Sequence, residues 1–333
     1  MDRNRSKDFS TLFGTRLPMM AGGMMWLSNA EYVAAAAKAG ILGFIVAAAF
    51  PHENDLRKQI RKCRDLSKGN PFGVNVSMLP KLIPGEKTMD IFKLIIEEGV
   101  TIVETSGRNP APFLPMLKEA GVKIIHKVPA VKYALKAQQL GVDAVAIVGA
   151  ECGGHPGMDL IGSFVNSAVA LEQLEIPFLI GGGIGHGSQI IAAMAMGASG
   201  VVIGTRFLVA KEIWAHDDYK KALIAATEND TTLCMQSIKN TVRVLKNKTA
   251  KKVQQIEKEQ DQVDIQTLMP FISGTIGFNA YTTGDTSQGM LAAGHALAFV
   301  HKTEPLADIV ASLEKEAEEA LERTQRIRSL SNA

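Results

Sequence analysis

The sequence predicts a (β/α)8 barrel, and three observations carry that prediction. Short apolar runs rich in Val and Ile alternate with helical segments over the first two thirds of the 333 residues. Most of these runs are continuously apolar, as parallel strands buried on both faces require. Eight strand–helix units are present, more than an open doubly wound sheet usually needs.

The expected strands fall at 18–21, 42–47, 72–76, 101–104, 123–127, 144–148, 178–181 and 200–204. Helices fill the gaps. Ser28 with Glu31 has capping-box spacing, and the Ala-rich run that follows stops at Gly40. Residues 129–140 are amphipathic and stop at Gly141, while Ser188 opens a run that Gly197 closes. After the eighth strand comes a polar, helix-rich stretch, and the helical apolar pattern returns at 289–300 as the expected eighth barrel helix. Residues 211–285 are therefore read as a helix-rich lid or insertion between strand eight and helix eight, at the catalytic mouth. That leaves 1–210 and 286–333 as the barrel. From Pro305 onward a charged amphipathic helix is expected to pack outside the barrel.

Bulk composition narrows the function classes. Hydrophobic residues make up 46% and charged residues 21%, so a large core is available. Lys plus Arg number 36 against 34 Asp plus Glu, a net charge of +2. That balance favours neither a nucleic-acid nor a membrane-surface partner. Cys63, Cys152 and Cys234 are far apart and odd in number, which fits a reducing compartment rather than a disulfide framework. The polar N-terminus lacks the apolar stretch of a signal peptide, and no apolar run reaches membrane-spanning length. A cytoplasmic location is the expectation.

Barrel active sites lie at the C-terminal ends of the strands, and phosphate sites often use the loops after strands seven and eight. Those loops read IGGGIGHG, with Gly181, Gly182 and Gly183, and IGTRF, with Gly204 and Thr205. Glycines let backbone N–H groups approach a phosphate. The spacing leaves open whether that phosphate belongs to a cofactor or to a substrate, and each loop alone also reads as an ordinary tight turn.

Other strand ends add chemistry. The first ends in AGGMMW, where Ala21, Gly22 and Gly23 offer bare backbone to a flat ring, with Met24 and Trp26 as apolar walls. Asn75 ends the third strand and can donate and accept at a ring edge. Lys127, after Ile124, Ile125 and His126, is a costly residue in a buried strand unless it has a partner or a function, such as balancing negative charge at the mouth. Strand alternation then turns His126 the other way.

The loop after strand six, GAECGGHPGMD, runs from Gly149 past Gly153 and Gly154 to His155, an imidazole suited to acid–base work. His186, beside the phosphate turn, is second in rank. His52, His216 and His301 read as surface residues, and His295 as part of helix eight. Cys152 and His155 form C-x-x-H, compatible with a thiol nucleophile, but no second ligand pair has metal spacing, so no metal is expected. Lys239, Arg243 and Lys246 read as a solvated helix face, with an electropositive groove as the alternative.

Taken in order, AGGMMW, GVNVSMLP, ETSGRNP, HKVPAV, GAECGGHPG, IPFLIGGGIGHG and GASGVVIGTRF resemble the nitronate monooxygenase family, formerly 2-nitropropane dioxygenases. QSIKNTVRV and TTGDTSQGMLAAG are similar to its bacterial branch of FMN-dependent NADH:quinone reductases. The GGIGHG form departs from the GGIADG common in the family and leaves the outer loop contacts open.

The resemblance implies FMN across the barrel mouth. It places Gly22, Gly23 and Asn75 near the isoalloxazine, Lys127 at its polar edge, Gly153 and Gly154 lining the site, and Gly182, Gly183, Gly204 and Thr205 on the phosphate. His155 faces the substrate, a small molecule: a nitronate or, with NAD(P)H as co-substrate, a quinone. Acyl thioesters of coenzyme A or acyl carrier protein are the alternative. A flavin-free lyase or isomerase, with Lys127 forming a Schiff base on a phosphorylated substrate, is the alternative from another class. The oligomeric state stays open.

Overall fold

A computed structural model of the chain describes residues 8–78, 87–260 and 262–330. The last two residues of the GVNVSMLP motif, Leu79 and Pro80, lie outside them. The chain opens with α1 (Phe9–Phe13), β1 (Met19–Ala21), α2 (Ala30–Lys38), β2 (Leu42–Val46), α3 (Glu53–Ser67), β3 (Gly73–Met78), α4 (Thr88–Glu97) and β4 (Ile102–Gly107). It continues with α5 (Leu114–Glu119), β5 (Lys123–Val128), α6 (Val131–Leu140), β6 (Ala144–Val148), α7 (Ser163–Gln173), β7 (Phe178–Gly181), α8 (Gly187–Ala195) and β8 (Gly200–Ile203). The eight strands are parallel and close into a barrel, β1 pairing with both β2 and β8. The fold is the (β/α)8 barrel that the alternating apolar runs predict.

Two separate cores follow from strand alternation. Residues of one parity, among them Met20, Phe44, Ile102, Ile125, Leu179 and Val202, fill the barrel interior. Phe9, Leu12 and Phe13 of α1 join that cluster and close the N-terminal end of the barrel. The other parity packs outward against the helices.

Two helix starts differ from expectation by one or two residues. Asn29, not Ser28, caps α2, its Oδ1 accepting from the Tyr32 N–H at 3.1 Å. The Ser28 hydroxyl instead accepts from the Met24 N–H at 2.8 Å, holding the turn after β1. At α8 the cap is His186, which accepts from the Ser188 N–H at 3.1 Å, while Gln189 returns the capping-box bond to the His186 N–H.

The eighth helix is the larger correction. Residues 289–300 form extended chain and a short 3₁₀ turn, His295–Phe299. Gly289 has φ +76°, and a side chain at Gly294 would lie 2.4 Å from the Glu151 carbonyl, so this largely apolar stretch is a buried crossing, not a helix. The barrel's outer ring is completed instead between α2 and α8 by the helix Leu306–Leu330. The charged tail is thus a barrel element. Its fit against α8 is close: a Cβ at Gly187 would lie 2.3 Å from the Ala317 nitrogen and the Leu313 carbonyl.

Between β8 and that helix lie α9 (Asp217–Ala225), β9 (Thr231–Cys234), β10 (Val242–Leu245), α10 (Lys248–Glu259), α11 (Ile265–Ile272) and α12 (Gly274–Thr283), so the closing helix is α13. The β9–β10 antiparallel pair is an addition to the expected helices. Its turn holds Met235 and Lys239 at φ +62° and +57°. Cys234, Val244, Val253 and Leu268 form a separate small core there.

Candidate active site

The mouth is built by strand parity. Ile102 and Ile125 face the barrel interior, so Glu104 and Lys127, two residues on, share that face at a higher level. Asn75, flanked by the outward Val74 and Val76, faces in from β3. These three side chains meet. Lys127 Nζ lies 2.9 Å from Glu104 Oε1, and the Asn75 amide donates to Glu104 Oε2. Glu104 is fully buried, whereas the Lys127 side chain keeps 21% of its surface. Asn75 Oδ1 also accepts from the Ser77 hydroxyl at 3.1 Å.

Glu104 was missed by sequence reasoning, although a carboxylate in the otherwise apolar start of β4 (IVE) was the signal. It supplies the partner that a buried lysine demands. His126 does point away: it packs outside the interior, its Nδ1 2.8 Å from the Thr105 hydroxyl, and burial lowers its pKa to about 4.

The loop after β6 is held from three sides. Glu151 accepts from the Ser163 N–H and hydroxyl, the latter at 2.8 Å. Gly154 and Arg243 exchange backbone bonds of 3.0 and 2.7 Å. The Arg243 guanidinium bonds the Ala150 carbonyl at 2.9 and 3.1 Å and Thr231 Oγ1 at 3.1 Å. Arg243 is therefore a buried tie on β10, not part of a solvated helix face, while Lys239 and Lys246 are exposed. Further along, the His295 N–H bonds the Glu151 carbonyl at 3.0 Å, placing His295 in the 3₁₀ turn at the mouth rather than on a helix.

His155 follows Gly154 at the rim. Its ring keeps accessible surface, but the enclosing walls, and secondarily the Lys127 charge, lower its pKa below the ordinary value. The imidazole is therefore neutral near pH 7, with a lone pair to offer. Burial pushes the Cys152 thiol up to about 12, which keeps it protonated and removes the basis for a thiolate nucleophile. His186 is used as a helix cap and lies 3.6 Å from Glu316 on α13. Among the described residues, no group of three His, Cys, Asp or Glu could hold a metal ion.

The glycines divide into two kinds. A Cβ at Gly149 would strike Ser163 at 2.3 Å, one at Gly153 the Ala293 backbone at 2.7 Å, and one at Gly181 Val202 at 2.9 Å. Protein packing alone accounts for these three. Gly23 is nearly as tight, 3.1 Å from Val46 and 3.3 Å from Asn75, and Gly22 sits in ordinary contact 3.5 Å from the Ile203 carbonyl. Gly154 and Gly204, by contrast, have nothing within 4 Å of where a Cβ would project. Gly182 and Gly183 have φ of +107° and +72°, which side chains rarely adopt. Thr205 Oγ1 accepts from the Gly294 N–H at 2.9 Å, leaving its hydroxyl hydrogen to donate elsewhere. Open space beside Gly204 and Gly154, next to turns of exposed backbone, is a cradle of the kind a phosphate-bearing flat cofactor fits.

An aromatic group covers one side of the mouth. Trp26, at φ +67°, accepts from Trp214 Nε1 through its carbonyl at 2.7 Å. The Phe278 ring on α12 lies 5.2 Å from Trp26 and 5.4 Å from Trp214.

Comparison with known proteins gives concordant matches. Residues 6–316 match the family model described as nitronate monooxygenase. The (3aS,4S,5R,7aS)-5-hydroxy-7a-methyl-1-oxo-octahydro-1H-indene-4-carboxyl-CoA dehydrogenase of Rhodococcus jostii (strain RHA1) is 33% identical, over 67% of this chain and 60% of that protein. The nitronate monooxygenase of Paraburkholderia phytofirmans is 26% identical over 97% of this chain and 98% of that protein. Among solved structures, FabK from Thermotoga maritima superposes with a TM-score of 0.87 at 30% identity, covering 96% of this chain and 98% of that one.

Proposed function

Because the chain belongs to the nitronate monooxygenase family of flavin-dependent oxidoreductases, we propose that it is an FMN-dependent oxidoreductase with its site at the barrel mouth. The observation that carries this reading is the pair of turns after β7 and β8, with open space beside Gly204. Gly181, Gly182, Gly183, Gly204 and Thr205 would hold the phosphate. Ala21, Gly22, Gly23, Asn75, Gly149, Gly153 and Gly154 would line the ring, and Lys127 would supply positive charge to its polar edge. When bound, FMN supplies two-electron acceptance and return.

The chain's own residues do the rest. The ammonium of Lys127 favours negative charge developing at the mouth. His155, neutral because its pKa is lowered, offers a ring nitrogen that takes a proton or a hydrogen bond from substrate. Trp26, Trp214 and the partly exposed Phe278 form an aromatic wall on one side.

Electrons would come from NAD(P)H or an alkyl nitronate and pass to a quinone or to O₂. A second reading, oxidation or reduction of an acyl thioester, is favoured by the carboxyl-CoA dehydrogenase activity that names the Rhodococcus relative. The Schiff-base alternative loses support because Lys127 Nζ is committed to Glu104.

The test is anaerobic mixing of the yellow protein with NADH, NADPH, a nitronate and an acyl-CoA in turn, following flavin bleaching. Bleaching by a nitronate, or by a pyridine nucleotide with the electrons then passing to a quinone, selects the first reading; bleaching by an acyl-CoA, or passage of pyridine-nucleotide electrons to an unsaturated acyl-CoA, selects the second. A colourless protein that cannot be reconstituted with FMN refutes both.

A further inference from the structure

We propose that Glu104 is a positioning residue, whose buried carboxylate, pinned by Asn75, fixes the Lys127 ammonium at the barrel mouth and balances its charge. The role rests on the reading of the mouth as an FMN site. Glu104 is entirely removed from solvent, where an uncompensated carboxylate is strongly disfavoured. Lys127 is in register with Ser106 on β4, yet its Nζ meets Glu104, two positions deeper in the barrel. The ammonium is thus drawn down toward the interior rather than out into water. The Asn75 amide donates to Glu104 Oε2 and orients the carboxylate, while the buried Oε1 has no hydrogen bond and its close neighbour is the Lys127 ammonium, an ion-pair contact of 2.9 Å.

The arrangement has an electrostatic consequence. An isolated lysine would present a full positive charge to the cofactor edge; the pair presents the positive end of a compensated dipole. Glu104 therefore moderates the pull of Lys127 on the anionic reduced flavin. Its removal and the removal of the lysine must act in opposite directions.

Four proteins test this: wild type, Glu104→Gln, Lys127→Met and the double variant. In urea unfolding of FMN-free protein, Lys127→Met should lose about 10²–10³-fold in folding equilibrium constant, the usual order for stranding a buried charge. The double variant should recover at least about tenfold of that loss, because no charge is left to strand. In FMN-loaded protein, Glu104→Gln should raise the midpoint potential above wild type and Lys127→Met should lower it. A double variant no more stable than Lys127→Met overturns the proposal, as does a Glu104→Gln potential at or below wild type. If Lys127→Met does not fold, a folded double variant supports the proposal and an unfolded one overturns it. Should no variant nor the wild type take up FMN, the functional reading fails, and the unfolding comparison still decides the ion pair.

Discussion

Gly204 offers a direct test of the phosphate cradle. Its φ of −117° is not left-handed, its ψ of −75° lies at the edge of the region that side chains adopt, and a Cβ built there meets no atom within 4 Å. Gly204→Ala meets no steric clash and should fold, its backbone strain offsetting the gain from a stiffer unfolded chain, so it serves as the uncharged control. Gly204→Asp adds a carboxylate to the same open space. At about 5 Å and an effective dielectric of about 20, one unit charge repels another by about 3 kcal/mol, and a phosphate dianion by about 6 kcal/mol. That corresponds to an FMN affinity weaker by about four orders of magnitude. The assay is titration of FMN-free protein by flavin fluorescence, with thermal melts run alongside. If Gly204→Asp melts like wild type and binds FMN with wild-type affinity, the phosphate lies elsewhere. Gly183 is a poorer probe, since its Cβ would press on Glu151 at 3.1 Å from a backbone of φ +72°.

His155→Ala should retain FMN but slow turnover by about 10²–10⁴-fold with substrates that need a proton moved, measured by separate reductive and oxidative half-reactions. Full turnover with every acceptor would remove His155 from the chemistry. His126 gives a pH dependence. Its folded pKa, about 4, lies below the ordinary value, so the unfolded chain binds the proton first. The stability it contributes is complete above about pH 6.5 and falls by about 3 kcal/mol as the pH drops to about 4. Urea melts across that range, compared with His126→Asn, should show a steeper loss in wild type by about that amount; equal slopes would remove His126 as a cause. Gly187→Ala should lower the Tm by pushing α13 off α8, at a cost of about 1–3 kcal/mol; an unchanged Tm would mean that the two helices separate freely.

The barrel was legible because its signal is repetitive: most buried strands are apolar runs, and most helices run out into a glycine. The eighth helix was not. Residues 289–300 are apolar enough to imitate a helix, and only their contact with the loop after β6 distinguishes a buried crossing from one. Arg243 was misplaced for a similar reason. VRVL reads equally as a strand or as part of a charged helix until its guanidinium meets the Ala150 carbonyl. The glycines expected at the mouth have mixed structural causes: Gly149, Gly153 and Gly181 answer to packing, while Gly154 and Gly204 leave room. Glu104 was within reach, since it shares strand parity with Ile102, yet its significance needed Lys127 two strands of side chains brought together.

The place of α13 bears on how the chain assembles. Roughly a hundred residues separate the end of β8 from the helix that seals the ring between α2 and α8. Its contacts reach back to the start of the chain, as in the Arg16–Glu314 ion pair of 2.6 Å. Such distant pairings are rewarded only after the loop-closure entropy has been met, which slows folding and prolongs exposure of unfinished apolar surface. Until α13 docks, the faces of α2 and α8 that it covers stay open to misassociation. The small β9–β10 core closes over far shorter separations, so it can be complete while the ring still waits for its final helix.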